Sequence, residues 1–214
     1  MDNSIDTIMV LLVLMNLMLL GLSSLATCIR VVAAQGITLG ILPLVMHGGI
    51  LDLRLILFSA AIIGLKGIVF PWLLSWAMRD VNAQREVEPF IGYGKSVIAG
   101  PLALAVCMWL GSRLPLPLDI VSPMVVPVAF FTIMCGLFLI VSRKKALSQV
   151  LGYIVLENGI YTFGMAIAQK QPLLVELGIL LDVFVAVFVM GIVIFHINRE
   201  FDHIDTDRLS SLRS

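Results

Sequence analysis

Long apolar runs recur along this chain, each closed by a short polar break. A helix of about 20 apolar residues crosses the hydrocarbon core of a bilayer. On that measure the pattern predicts seven spans, over residues 7–28, 31–51, 55–78, 95–112, 121–141, 146–168 and 173–197. The second run holds Gly36, Gly40, Pro43, Gly48 and Gly49, and the fourth holds Gly100 and Pro101. Membrane helices tolerate such residues where neighbours satisfy the freed backbone groups. The expected fold is therefore an all-α, polytopic membrane helix bundle. Its runs divide into an N-terminal three-helix membrane unit at 1–80, a cytoplasmic loop plus connecting helix at 81–120, a second three-helix unit at 121–198 and a cytoplasmic tail at 199–214.

Basic residues orient the spans, because loops on the cytoplasmic side are enriched in Lys and Arg. With the N-terminus outside, Arg30, Arg79, Arg85, Lys95, Arg143, Lys144, Lys145, Arg199, Arg208 and Arg213 all fall on the cytoplasmic side. Only Arg54, Arg113 and Lys170 fall outside. The expected topology is N-out and C-in.

Composition agrees with the pattern. The 214 residues are 60% hydrophobic and only 13% charged, with a mean hydropathy of +1.06. Net charge is zero, so the basic footprint of a nucleic-acid binder is missing. The opening MDNSID is acidic and lacks the basic region of a signal peptide. The first helix is expected to stay as an anchor. Cys28, Cys107 and Cys135 lie in or beside apolar runs without CxxC or zinc spacing, and read as packing residues. His47 and His196 lie at opposite ends of their spans, and His203 lies in the tail. They cannot share a haem iron. No cofactor is expected in this chain.

The candidate chemistry lies inside the membrane. Lys66 falls near the middle of the third span, Glu157 of the sixth and Asp182 of the seventh. A charge at the bilayer centre costs roughly 2.5–3.5 kcal/mol on insertion scales, so each needs a reason. Glu176 stands about 9 Å from Asp182 toward the outer face and about 120° around the helix. It is either an exit for a relay or a wetted helix end. Gln149, Tyr153, Glu157 and Tyr161 recur every four residues and form one stripe. Ser59 and Lys66 are seven apart and share a face. Gly64 and Gly67 flank Lys66, and Pro71 cannot donate to the Gly67 carbonyl. The helix is weakened beside the charge, where water or a partner can approach. The favoured reading is a proton relay through Lys66, Glu157, Asp182 and Glu176, with Tyr153, Gln149, Tyr161 and Ser59 in support. An assembly lock between Lys66 and Glu157 or Asp182, and a site for another ion, stay open.

An internal repeat is also suggested. RVVAAQGITLGI (30–41) and KKALSQVLGYIV (144–155) place Gln35 opposite Gln149 when Arg30 is set against Lys144. On that register the first three and last three spans form a parallel repeat, as some transporters show.

The second half resembles a known family. A basic turn RKKA (143–146), a helix with a central Glu157 and a helix with a central Asp182 look like the K-type three-helix subunit of respiratory complex I. They also look like the C-type subunit of multisubunit sodium/proton antiporters. A resemblance over nearly the whole chain is to component E of hydrogenase-4-type complexes, related to formate hydrogenlyase. It is carried by LKGIVFPWLLSWAMR (65–79), GYIVLENG (152–159) and VELGILLDVFVAVFVMGI (175–192). The resemblance implies a non-catalytic membrane subunit among antiporter-like and H-type subunits, in a bacterial or archaeal inner membrane. Peripheral hydrogenase-like partners would carry the nickel–iron centre and iron–sulfur clusters. Glu157 and Asp182 take the places of the two K-type carboxylates, although Glu157 comes about one turn later and Asp182 is the shorter acid. Lys66 has no K-type counterpart. A cation/proton antiporter subunit and a structural linker are the alternatives.

Overall fold

The computed structural model describes residues 2–46, 52–80, 92–114, 122–167 and 191. These are helical, with no strand among them. The elements are α1 (Asp2–Gly21), α2 (Leu25–Met46), α3 (Leu53–Ile62), a π-helical segment (Ile63–Val69), α4 (Phe70–Asp80), α5 (Tyr93–Arg113), α6 (Val125–Ser142) and α7 (Ala146–Ile167). Ile63 and Phe70 keep right-handed helical dihedrals, so α3, the π segment and α4 run on as one rod. Five helices among the described residues are long and apolar enough to cross a membrane: α1, α2, this rod, α5 and α6. α7 has 22 residues, enough to span, and its apolar run is broken by Gln149, Tyr153, Glu157, Asn158 and Tyr161. The expected seventh span lies outside the described residues.

The first turn is not where hydropathy puts it. α1 ends at Gly21 and α2 begins at Leu25, six residues before the expected start at 31. Leu22, Leu25, Ala26 and Cys28 keep the stretch apolar through the break, so no dip marks it. The break lies at Ser23 and Ser24. The Ser24 carbonyl accepts from Cys28 N at 3.0 Å, as the first carbonyl of a new helix does. Arg30 consequently lies inside α2, exposed, and not in the connection. The repeat register that set Arg30 against Lys144 fails with it. Gln35 is buried at mid-helix, whereas exposed Gln149 sits in the first turn of α7.

Arg143 also departs from expectation. It belongs to the basic turn, yet it is one of the largest fully buried side chains. Its Nη2 donates to the Leu20 carbonyl at 3.2 Å, in the last turn of α1, where carbonyls have no helical partner and a positive charge is favoured. Its own carbonyl accepts from Gln149 Nε2 at 3.0 Å. Arg143 therefore ties the α6–α7 turn to the end of α1, while Lys144 is exposed.

The helices pack through glycine. In a bilayer, association rests on close van der Waals contact, not on excluding water. A Cβ on Gly159 would stand 2.6 Å from Ile133 N, one on Gly152 2.8 Å from Ile140 N, and one on Gly136 would collide with Leu156 N. These three positions let α6 and α7 run nearly backbone to backbone. Two apolar clusters result. One gathers Leu19, Leu25, Phe70, Phe131, Leu139 and Leu151. The other gathers Ile5, Met9, Leu39, Leu42, Val128 and Met165. Following α1, α2 or α7 from one cluster to the other crosses Asn16, Gln35 or Glu157 and Asn158, all buried. A polar layer is thus held between two apolar ones.

Candidate proton-transfer site

Lys66 sits in the middle of the π segment. Pro71 is the local cause, since it has no N–H for the Gly67 carbonyl. The ladder shifts by one residue, and Phe70 N donates five back to Leu65 O, the pattern of a π-helix. On the facing helix, a Cβ on Gly36 would come within 2.6 Å of the Lys66 carbonyl carbon. Only glycine at 36 allows the Lys66 backbone to lie this close to α2.

Lys66 Nζ stands 2.8 Å from Glu157 Oε1, with the side chains 0% and 3% exposed. The ammonium also lies 5.1 Å from the centroid of the Tyr161 ring, a cation–π contact worth about 0.5–2 kcal/mol, and donates to Asn158 Oδ1 at 3.4 Å. Of the two carboxylates expected for Lys66, Glu157 stands at it among the described residues. At 2.8 Å the nitrogen and oxygen are within hydrogen-bond distance. A small rotation that aligns an N–H of Lys66 with the carboxylate oxygen lets one proton pass between them, converting an ion pair into a neutral pair.

The remaining sequence candidates divide. Tyr161, one turn beyond Glu157, joins the site. Ser59 is buried on the Lys66 face and has no hydrogen bond among the described residues. Tyr153 packs against the apolar cluster of Leu151 and Phe131. Gln149 turns back to the Arg143 carbonyl and does not reach the pair. Asp182 and Glu176 lie outside the described residues.

Four further side chains belong to the layer and escaped the sequence reading as site residues. Asn158 Nδ2 donates to Gln35 Oε1 at 3.4 Å, Gln35 Nε2 to Asn16 Oδ1 at 2.9 Å, and Asn16 Nδ2 to Thr132 Oγ1 at 2.8 Å. The Thr132 hydroxyl donates to the Val128 carbonyl at 2.8 Å. All four residues are buried. The usable signal was an uncharged polar residue at mid-span, such as Asn16 within VLLVLMNLMLLGL.

Comparisons with known proteins match the second half of the chain and nearly its whole length. The family model described as NADH-ubiquinone/plastoquinone oxidoreductase chain 4L matches residues 124–214, starting one residue before α6. Over 208 residues the chain is 33% identical to the protein Rv0085 of Mycobacterium tuberculosis, covering 94% of this chain and 92% of the relative. Over 160 residues it is 27% identical to hydrogenase-4 component E of Escherichia coli K12, covering 75% of this chain and 74% of the relative. No solved structure matches the chain.

Proposed function

Because the chain belongs to the hydrogenase-4 component E family, we propose that it is a non-catalytic membrane subunit of a hydrogenase-4-like, complex I-related oxidoreductase, and that its buried ion pair takes part in proton translocation. The observation that carries the reading is the Lys66–Glu157 contact of 2.8 Å inside the polar layer. Ionisable groups within a membrane are costly and mark ion or proton paths. A carboxylate beside an ammonium, each able to exchange the same proton, is suited to one station of such a path. In this reading Asp182, near the middle of its apolar run in the sequence, is the next station and Glu176 a candidate exit. Redox chemistry belongs to peripheral partners carrying nickel–iron and iron–sulfur centres. The membrane neighbours are antiporter-like and H-type subunits of a bacterial or archaeal inner membrane.

The test uses the complete complex in sealed membrane vesicles. Glu157→Gln, which keeps volume and removes the titratable proton, assembles and lowers the protons moved per redox turnover. Asp182→Asn does the same. Normal translocation in both variants would sink the relay reading. Copurification with antiporter subunits and no nickel–iron subunit would assign the same relay to a cation/proton antiporter.

A further inference from the structure

Asn158, Gln35 and Asn16 hold no titratable proton, yet with Thr132 they form one unbroken line that starts at Lys66. The line has a direction. An ammonium carries donors only, so Asn158 must turn its carbonyl oxygen toward Lys66. Its NH2 group is then left for Gln35, which must answer with its own carbonyl. The same constraint passes to Asn16, and the last NH2 meets the Thr132 oxygen. Thr132 closes the line by giving its hydrogen to Val128 of its own helix. Reversing Asn158 or Gln35 would set N–H against N–H on one side and oxygen against oxygen on the other, and reversing Asn16 would set its N–H against that of Gln35. In a buried layer each unmade bond carries the full cost of desolvation. The orientation of three side-chain amides therefore follows from the single donor-only residue at one end.

Two consequences meet at Lys66. Every carbonyl in the line points back toward the ammonium, so the dipoles favour its charge where it stands. A side-chain amide offers NH2 donors and a carbonyl acceptor but no titratable proton, so the line carries hydrogen bonds without carrying protons. Lys66 needs such fixing. It rides on a π segment beside Gly64, where a Cβ would meet no atom of the described residues within 4 Å, and its side chain is long and flexible.

We propose that Asn158, Gln35 and Asn16 are positioning residues for the Lys66–Glu157 pair: a one-way amide line that aims the ammonium and seals its α1–α2 side against proton traffic. The aiming stands on the geometry alone, whereas the sealing rests on the proton-transfer reading above.

The aiming is tested on the full chain in liposomes with nitrogen-15 in the asparagine and glutamine side chains, read by solid-state NMR. The variant is Lys66→Met with Glu157→Gln, so that no lone charge remains buried. Relative to the unsubstituted chain, the side-chain signals of Asn158, Gln35 and Asn16 all move. When Gln35→Leu is present in both members of the comparison, the shift stops at Asn158. An Asn16 signal that stays in place, or one that still moves with Gln35→Leu present, overturns the line. The sealing is tested in the complete complex. Gln35→Gly, which removes the amide and leaves room for water between α1 and α2, lowers the protons translocated per turnover, and Gln35→Asn, which keeps an amide, recovers part of the loss. Normal translocation in Gln35→Gly beside a loss in Glu157→Gln overturns the sealing and leaves the relay standing. Normal translocation in both overturns the relay, with the NMR signals still deciding the aiming.

Discussion

Lys66 and Glu157 together satisfy what neither could bear alone. Removing one partner of a buried pair leaves an uncompensated charge, at about 3–5 kcal/mol, whereas replacing both by apolar residues is often neutral. Lys66→Met or Glu157→Leu alone should therefore lower thermal stability by about that amount, and the double variant should recover most of it. Thermal unfolding of the detergent-solubilised chain reads the stability. Proton translocation in the double variant separates the two roles: a lock keeps its function when the pair becomes apolar, and a relay loses it. The charges were legible in the sequence because a Lys or Glu inside an apolar run is conspicuous. Asn16, Gln35, Asn158 and Thr132 were not. Uncharged polar residues are common in membrane helices, and nothing local shows that four of them meet in one line.

The π segment links a residue to its helix. Pro71 withholds one backbone donor, and the ladder answers by shifting to five-residue spacing. Pro71→Ala restores the donor and lets the rod relax to an α-helix. A one-residue shift in register turns Lys66 by about 100°, away from Glu157. The expected result is weaker proton coupling despite an added hydrogen bond, read as protons per turnover. Gly36→Ala acts from the other side. Its new Cβ would fall 2.6–2.7 Å from Lys66 backbone and Cβ atoms, so α2 or the π segment must shift. Overpacking of this kind costs about 1–3 kcal/mol, and thermal unfolding measures it. Proline and the flanking glycines announced a weak point beside Lys66, and the structure realises it as a π-helix. The first helix break was hidden because its flanks stay apolar. Only two serines carry it, and they are too few to outweigh the surrounding leucines in any average over a span.

For the whole molecule, orientation is the property most open to direct measurement. The excess of Lys and Arg predicts that the α1–α2 turn faces the cytoplasm and the start of α3 faces outward. Ser23 and Asp52 are exposed at those two places, and the Asp52 side chain makes no capping hydrogen bond that a substitution would remove. Ser23→Cys should react with a membrane-impermeant maleimide only from the cytoplasmic side, and Asp52→Cys only from the outside. The native Cys28, Cys107 and Cys135 are buried and should contribute little background. Arg143→Gln should loosen the tie between the α6–α7 turn and α1. Faster proteolysis within 143–146, in otherwise assembled protein, would report it.

The chain's sequence alone determined a multi-pass helical bundle, the approximate spans, and the depth at which Lys66 and Glu157 lie. Burial of apolar side chains in lipid is summed locally along each run, so hydropathy and span centres suffice for these. Tertiary structure decided that Lys66 meets Glu157, that Arg143 is buried, and that the amide line exists. Those outcomes depend on how each helix is rotated about its axis and how closely glycine lets it approach its neighbour. All but one of the contacts concerned join residues 91 to 123 positions apart, the exception being Gln35 to Asn16 across one helix break, and no local pattern encodes a contact across such separations.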